Sequence, residues 1–130
     1  MKTLIAEDDF TSRLLLQEIL KRYGTTHIAA NGQEAVTAVS AALAAGQAYD
    51  LICLDMMMPE MDGFEALDRI RRLEESWGIQ PSRGAKVLVV TALDDLKDVA
   101  KAYQGLCDAY LVKPVEKSVL VDQLHKLDLI

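Results

Sequence analysis

Apolar positions along the chain fall into a repeating alternation of short continuous runs and longer stretches at helical spacing. Thr3-Leu4-Ile5-Ala6 is a short apolar run that predicts a strand, and Leu14, Leu15, Leu16, Ile19 and Leu20 then recur at helical spacing until Gly24. His27-Ile28-Ala29-Ala30 predicts a second, weaker strand closed by Asn31-Gly32. A helix from about Gln33 to Ala45 follows, with Ala35, Val36, Val39 and Leu43 on one face. Tyr49-Asp50-Leu51-Ile52-Cys53-Leu54 is a third strand, and its apolar stretch does not alternate, which predicts burial on both faces. Phe64, Leu67, Ile70 and Leu73 mark a third helix. The segment Glu74 to Gly84 carries Gly78, Pro81 and Ser82 and reads as a loop. Ala85 to Val90 is a fourth strand, and Leu96, Val99, Ala100, Tyr103 and Leu106 form a fourth helical face. Ala109-Tyr110-Leu111-Val112 is a fifth strand, and Val119, Leu120, Leu124 and Leu127 give a last helix. Five successive strand–helix units predict an α/β fold, a parallel sheet with helices on both faces.

Composition narrows this picture. A chain of 130 residues, 51% of them apolar, has the size of one domain with one core, and no repeat, low-complexity stretch or linker divides it. Acidic residues outnumber Lys and Arg by 20 to 14, which argues against a nucleic-acid-binding surface. The longest apolar runs are too short to span a bilayer, and the N-terminus turns acidic at Glu7 without a signal-peptide pattern, so the expected setting is cytoplasmic, away from membranes. The two cysteines, Cys53 and Cys107, match no metal spacing and are expected as buried reduced thiols.

The chemistry lies where the strands end. In open parallel sheets, function gathers beyond the carboxyl ends of the strands. The first strand delivers Glu7-Asp8-Asp9 there, the third Asp55, the fourth Thr91-Ala92 and the fifth Lys113-Pro114. Asp8, Asp9 and Asp55 brought together repel one another, and a hard divalent cation such as Mg²⁺ relieves that repulsion. Taken alone, Asp8 and Asp9 would read first as caps for the first helix. Phosphoryl transfer needs placement and counter-charge on the equatorial oxygens, which Mg²⁺, the Lys113 ammonium and the Thr91 hydroxyl can supply. A carboxylate held in line with the donor is then the nucleophile.

These segments resemble the receiver domain of two-component response regulators, in the manner of the single-domain chemotaxis regulators. The matching pieces are Ile5-Ala6-Glu7-Asp8-Asp9, Asp55-Met56-Met57-Met58-Pro59-Glu60-Met61-Asp62-Gly63, Val89-Val90-Thr91-Ala92 and Tyr110-Leu111-Val112-Lys113-Pro114. Together they cover essentially the whole chain. The resemblance implies a flavodoxin-like, three-layer (βα)5 fold with strand order 2-1-3-4-5 and one receiver domain over residues 1–130. It implies Asp55 as the phosphoacceptor and Asp8 and Asp9 as the acidic pair for Mg²⁺, with Asp9 the direct ligand and Mn²⁺ a substitute. Met57 would offer its backbone carbonyl to the metal, and the Lys113-Pro114 bond would be cis. Thr91 and Lys113 would meet the phosphoryl group, and Thr91 and Tyr110 would form the switch.

The implied role is a phosphoacceptor switch, not an enzyme acting on other substrates. It would be charged by a sensor histidine kinase or a histidine phosphotransfer protein and would signal through the face of helix four, strand five and helix five. Read as a complete chain, it would act on an unknown downstream protein or pass its phosphate on, as a monomer or a phosphorylation-dependent dimer, without binding nucleic acid directly. Two departures from the family pattern stand out. Met57 and Leu93 occupy positions that are often polar, and both are expected to shade the phosphate from water and prolong its life. The long Glu74–Gly84 loop resembles receivers of hybrid kinases and phosphorelays, with Trp77 expected to pack over the helix end.

Overall fold

The computed structural model describes residues 1–130, the side chains of Leu93 and Ala102 excepted. Five parallel strands, β1 (Thr3–Ala6), β2 (Thr26–Ala29), β3 (Leu51–Asp55), β4 (Lys86–Thr91) and β5 (Ala109–Val112), form one sheet in the order β2-β1-β3-β4-β5. Five helices alternate with them: α1 (Phe10–Leu20), α2 (Gly32–Ala44), α3 (Gly63–Ser76), α4 (Leu96–Ala102) and α5 (Lys117–Lys126). This is a flavodoxin-like fold, with the expected strand order.

Strand periodicity sorts the core into two layers. Leu4, Ala6, Ile52, Leu54, Val87 and Val89 face the side covered by α2, α3 and α4. Their neighbours Ile5, Leu51, Cys53, Leu88 and Val90 face the other side, under α1 and α5. Every residue of β3 is buried, as a central strand covered on both faces requires. Side chains of Asp9, Asn31 and Asp62 accept the first free amides of α1, α2 and α3, from Ser12, Glu34 and Glu65, and so fix where these helices begin. A 3₁₀ turn over Lys21–Tyr23 ends at Gly24, whose φ of 146° and close approach to the Met1 carbonyl leave no room for a side chain.

Several expectations need correction. The segment read as a loop from Glu74 begins later, because α3 continues to Ser76 and Glu74 is buried. Its carboxylate accepts from the Arg71 guanidinium at 2.7 Å and from the Ala85 amide at 2.7 Å, which makes a polar residue part of the interior. Trp77 does not pack over the helix end; it is 54% exposed and closes α3 through its backbone amide. α4 stops at Ala102, so Tyr103 and Leu106 lie past its end, although Tyr103 is still buried in the core. Leu14, Leu15, Phe64 and Val119 follow helical spacing yet face outward. Cys53 is buried as expected, while Cys107 is half-buried.

Candidate phosphoryl-acceptor site

Four strand ends build the site. β3 ends on Asp55, which sits in register with Val90 of β4; the next β4 residue, Thr91, is paired with Val112, one residue before Lys113. The Glu7 amide donates to Ala29 and the Lys113 amide to Thr91, so the ladder still holds the backbone where the functional side chains begin. The Lys113–Pro114 peptide is cis. Gly63 opens α3 directly over the end of β3, where an added Cβ would collide with the Asp55 carbonyl oxygen, so only glycine permits this approach.

At the centre, the Lys113 ammonium lies 2.8 Å from Glu7 Oε1 and 3.4 Å from Asp55 Oδ1. Both carboxylates are buried, Glu7 at 1% exposure and Asp55 at 4%. Burial pushes the Asp55 carboxyl up to about 7, the neighbouring Glu7 carboxylate adds to the rise, and Lys113 only partly offsets it. Lys113 itself is raised above its ordinary value: burial opposes its charge, but Glu7 and Asp55 outweigh burial. One carboxylate oxygen each of Glu7, Asp8 and Asp55 lies within 4.8 Å of the others, the one such acidic group among the described residues. Three hard oxygen donors with a shortage of positive charge form a donor set that fits Mg²⁺.

Asp8 and Asp55 meet, but the third carboxylate is Glu7, which the sequence reading placed on the rim without giving it a role. Asp9 is exposed and caps α1, accepting from the Ser12 amide at 2.9 Å; that bond holds its carboxyl below the usual range. The signal for Glu7 was its position immediately after β1, while the Asp9 to Ser12 spacing was the signal for a cap.

The remaining residues are placed as follows. Thr91 is buried, and its hydroxyl makes only a long contact, 3.4 Å, to the Ala92 carbonyl. Met57 has an exposed side chain, and its amide donates to Asp55 Oδ1 at 3.4 Å. The side chain of Leu93 lies outside the described residues. Tyr110 is half-buried, with its hydroxyl donating to the Ala100 carbonyl of α4 at 3.1 Å. His27 is bonded through Nδ1 to the Tyr49 hydroxyl at 2.7 Å, away from this site.

Such a rim on a doubly wound sheet defines a phosphoryl-accepting receiver, and the comparisons agree. The family model for the response regulator receiver domain matches residues 3–125. The chain is 38% identical over 131 residues to hybrid signal transduction histidine kinase B of Dictyostelium discoideum, covering 96% of this chain and 6% of that protein. It is 36% identical over 118 residues to the transcriptional regulatory protein AfsQ1 of Streptomyces coelicolor, covering 90% of this chain and 46% of that one. The chain thus spans less than half the length of either relative. A solved co-crystal of the Saccharomyces cerevisiae histidine phosphotransfer protein Ypd1 with the receiver domain of the response regulator Ssk1 matches with a TM-score of 0.81 and 29% identity, covering 98% of this chain and 88% of that chain. The chain belongs to the response regulator receiver domain family, and its role is that of a phosphoacceptor in two-component signalling. No helix among the described residues is long and apolar enough to cross a membrane.

Proposed function

We propose that Asp55 is the phosphoacceptor and that Glu7, Asp8 and Asp55, with the Met57 carbonyl, hold Mg²⁺ beside it; Mn²⁺ would substitute. The observation that carries this reading is the convergence of the Glu7, Asp8 and Asp55 carboxylates, two of them paired with the Lys113 ammonium, at the ends of β1, β3 and β5. Bound there, the metal would supply counter-charge to the carboxylates and to the transferred group. An Asp55 oxygen attacks phosphorus, the bond from phosphorus to the donor's imidazole nitrogen breaks with its electron pair returning to the ring, and an acyl phosphate remains on Asp55. Lys113 leaves the shared embrace of Glu7 and Asp55 to pair with a phosphoryl oxygen. The Thr91 hydroxyl, held only by a long contact, turns to donate to another.

The donor is a sensor histidine kinase or a histidine phosphotransfer protein, and the setting is cytoplasmic. The downstream partner is a protein that reads the face of α4, β5 and α5, and residues 1–130 act as one receiver domain, as a monomer or a phosphorylation-dependent dimer. The chain catalyses only its own phosphorylation and slow dephosphorylation. Met57, exposed beside the acceptor, shades the phosphate from water, so M57N should shorten its lifetime.

The test is intact mass after incubation with acetyl phosphate and Mg²⁺. A single phosphate adduct, absent in D55N and without metal, is the expected result. No adduct, together with failure to bind beryllofluoride in the presence of Mg²⁺, would overturn the reading.

A further inference from the structure

We infer that Tyr103 is a positioning residue for the switch: its hydroxyl is a reserve donor that bonds to the Asp55 backbone carbonyl when Asp55 is phosphorylated, and so fastens the end of α4 to the acceptor strand. This rests on Asp55 being the acceptor. Tyr103 joins three parts of the molecule. Its amide donates to the Val99 carbonyl at 2.9 Å and closes α4, and its own carbonyl accepts from the Leu106 amide at 2.9 Å. Its ring lies in the core, 1% exposed, and meets the Phe64 ring of α3 edge to face at 5.4 Å. Its hydroxyl reaches the start of α3, where a Cβ on Gly63 would collide with the Asp55 carbonyl oxygen and stand 2.9 Å from the Tyr103 hydroxyl. The two oxygens therefore flank the point that glycine leaves empty.

That hydroxyl has no hydrogen-bond partner among the described residues. Two other tyrosines differ. The Tyr49 hydroxyl is bonded to His27 Nδ1 at 2.7 Å, and Tyr110 donates to the Ala100 carbonyl at 3.1 Å. A buried hydroxyl without a partner lowers stability, and phenylalanine would fill the same space without that cost. A tyrosine at this position is explained when a second state of the chain gives the hydroxyl an acceptor.

The surroundings supply that second state. The hydroxyl sits between two segments on which chemistry at Asp55 acts: the loop from Asp55 to Gly63, and α4, which follows Thr91. α4 has seven residues and no side-chain cap on its first amides. Its buried anchors are Val99 and, just past its end, Tyr103. A small approach of the two segments brings the hydroxyl onto the Asp55 carbonyl oxygen. A bond made in the phosphorylated state and absent from the resting state favours the phosphorylated arrangement, which is what a two-state element needs in order to be biased.

The test compares the full parent chain with Y103F. In urea unfolding without Mg²⁺ or beryllofluoride, Y103F should be at least as stable as the parent, since it loses only an unpartnered group. Titrated with beryllofluoride at saturating Mg²⁺, Y103F should need at least about fivefold more for half-saturation, because it lacks one bond of the bound state. In the parent chain labelled at the tyrosine Cζ carbons, the Tyr103 signal should move on saturation as its hydroxyl becomes a donor, which a merely space-filling ring would not show. Equal titrations of Y103F and the parent would overturn this inference alone. A Y103F chain less stable than the parent before beryllofluoride is added would show the hydroxyl already partnered, and would overturn it too. Failure of the parent chain to bind beryllofluoride would overturn the acceptor reading, and this inference with it.

Discussion

Glu7 shows how one residue redistributes the chemistry of its neighbours. Its buried carboxylate holds Lys113 at 2.8 Å and raises the proton affinity of Asp55, so the protonation of the proposed acceptor depends on its neighbour. If Glu7 and Asp8 hold the metal and Asp9 caps α1, then E7Q and D8N should each lower Mg²⁺ affinity by at least about tenfold in calorimetric titration. D9A should leave that affinity unchanged and instead lower the urea-unfolding midpoint through loss of the cap. The acceptor gives a second expectation for the metal-free chain. Its folded-state value of about 7 lies above the ordinary 3.8, so between these values the folded chain keeps a proton that the unfolded chain has released. Stability should therefore fall as pH rises from about 4 to about 7, and D55N should flatten that slope. Asp55, Thr91 and Lys113 were legible in the sequence because each closes an apolar run. Three consecutive acids are different: only the geometry of the turn after Ala6 decides which one points inward.

At the scale of elements, Arg71 ties α3 to the segments that lead into β4 and β5. Its guanidinium donates to the Leu106 and Ala85 carbonyls, to Glu74 at 2.7 Å and to Asp108 at 3.3 Å. R71A would leave the Glu74 carboxylate buried without its cation and should cost about 3 kcal/mol in chemical denaturation, while phosphorylation at the far end of the sheet persists. This network explains why the stretch after Leu73 was misread. Glu74, Gly78 and Pro81 carry the composition of a loop, and nothing local reveals that the Glu74 carboxylate is claimed by Arg71 and the Ala85 amide. The strands were easier to read, since continuous apolar runs have few other uses. The outward-facing Leu14, Phe64 and Val119 show the limit of helical spacing, which gives a period but leaves the width of the buried stripe to the packing.

Across the whole molecule, the sheet order β2-β1-β3-β4-β5 brings Asp55, Thr91 and Lys113 to adjacent strand ends. On the proposed reading, coupling between acceptor and output runs through Thr91. T91A should still take a phosphate from acetyl phosphate, yet beryllofluoride should no longer shift the amide signals of β5 around Tyr110. An unchanged β5 response in T91A would count against this route.

The element that follows Thr91 is also the least secured of the five helices. α4 spans seven residues, and no side chain caps its first amides, whereas Asp9, Asn31 and Asp62 cap α1, α2 and α3. Amides in α4 should therefore trade hydrogen for deuterium sooner than those of α1, α2 or α3, through brief local opening that leaves the sheet intact. A signal arriving at Thr91 then needs to move nothing rigid: by lengthening or shortening the fraction of time α4 spends closed, it changes how often the surface beside it is available to be read.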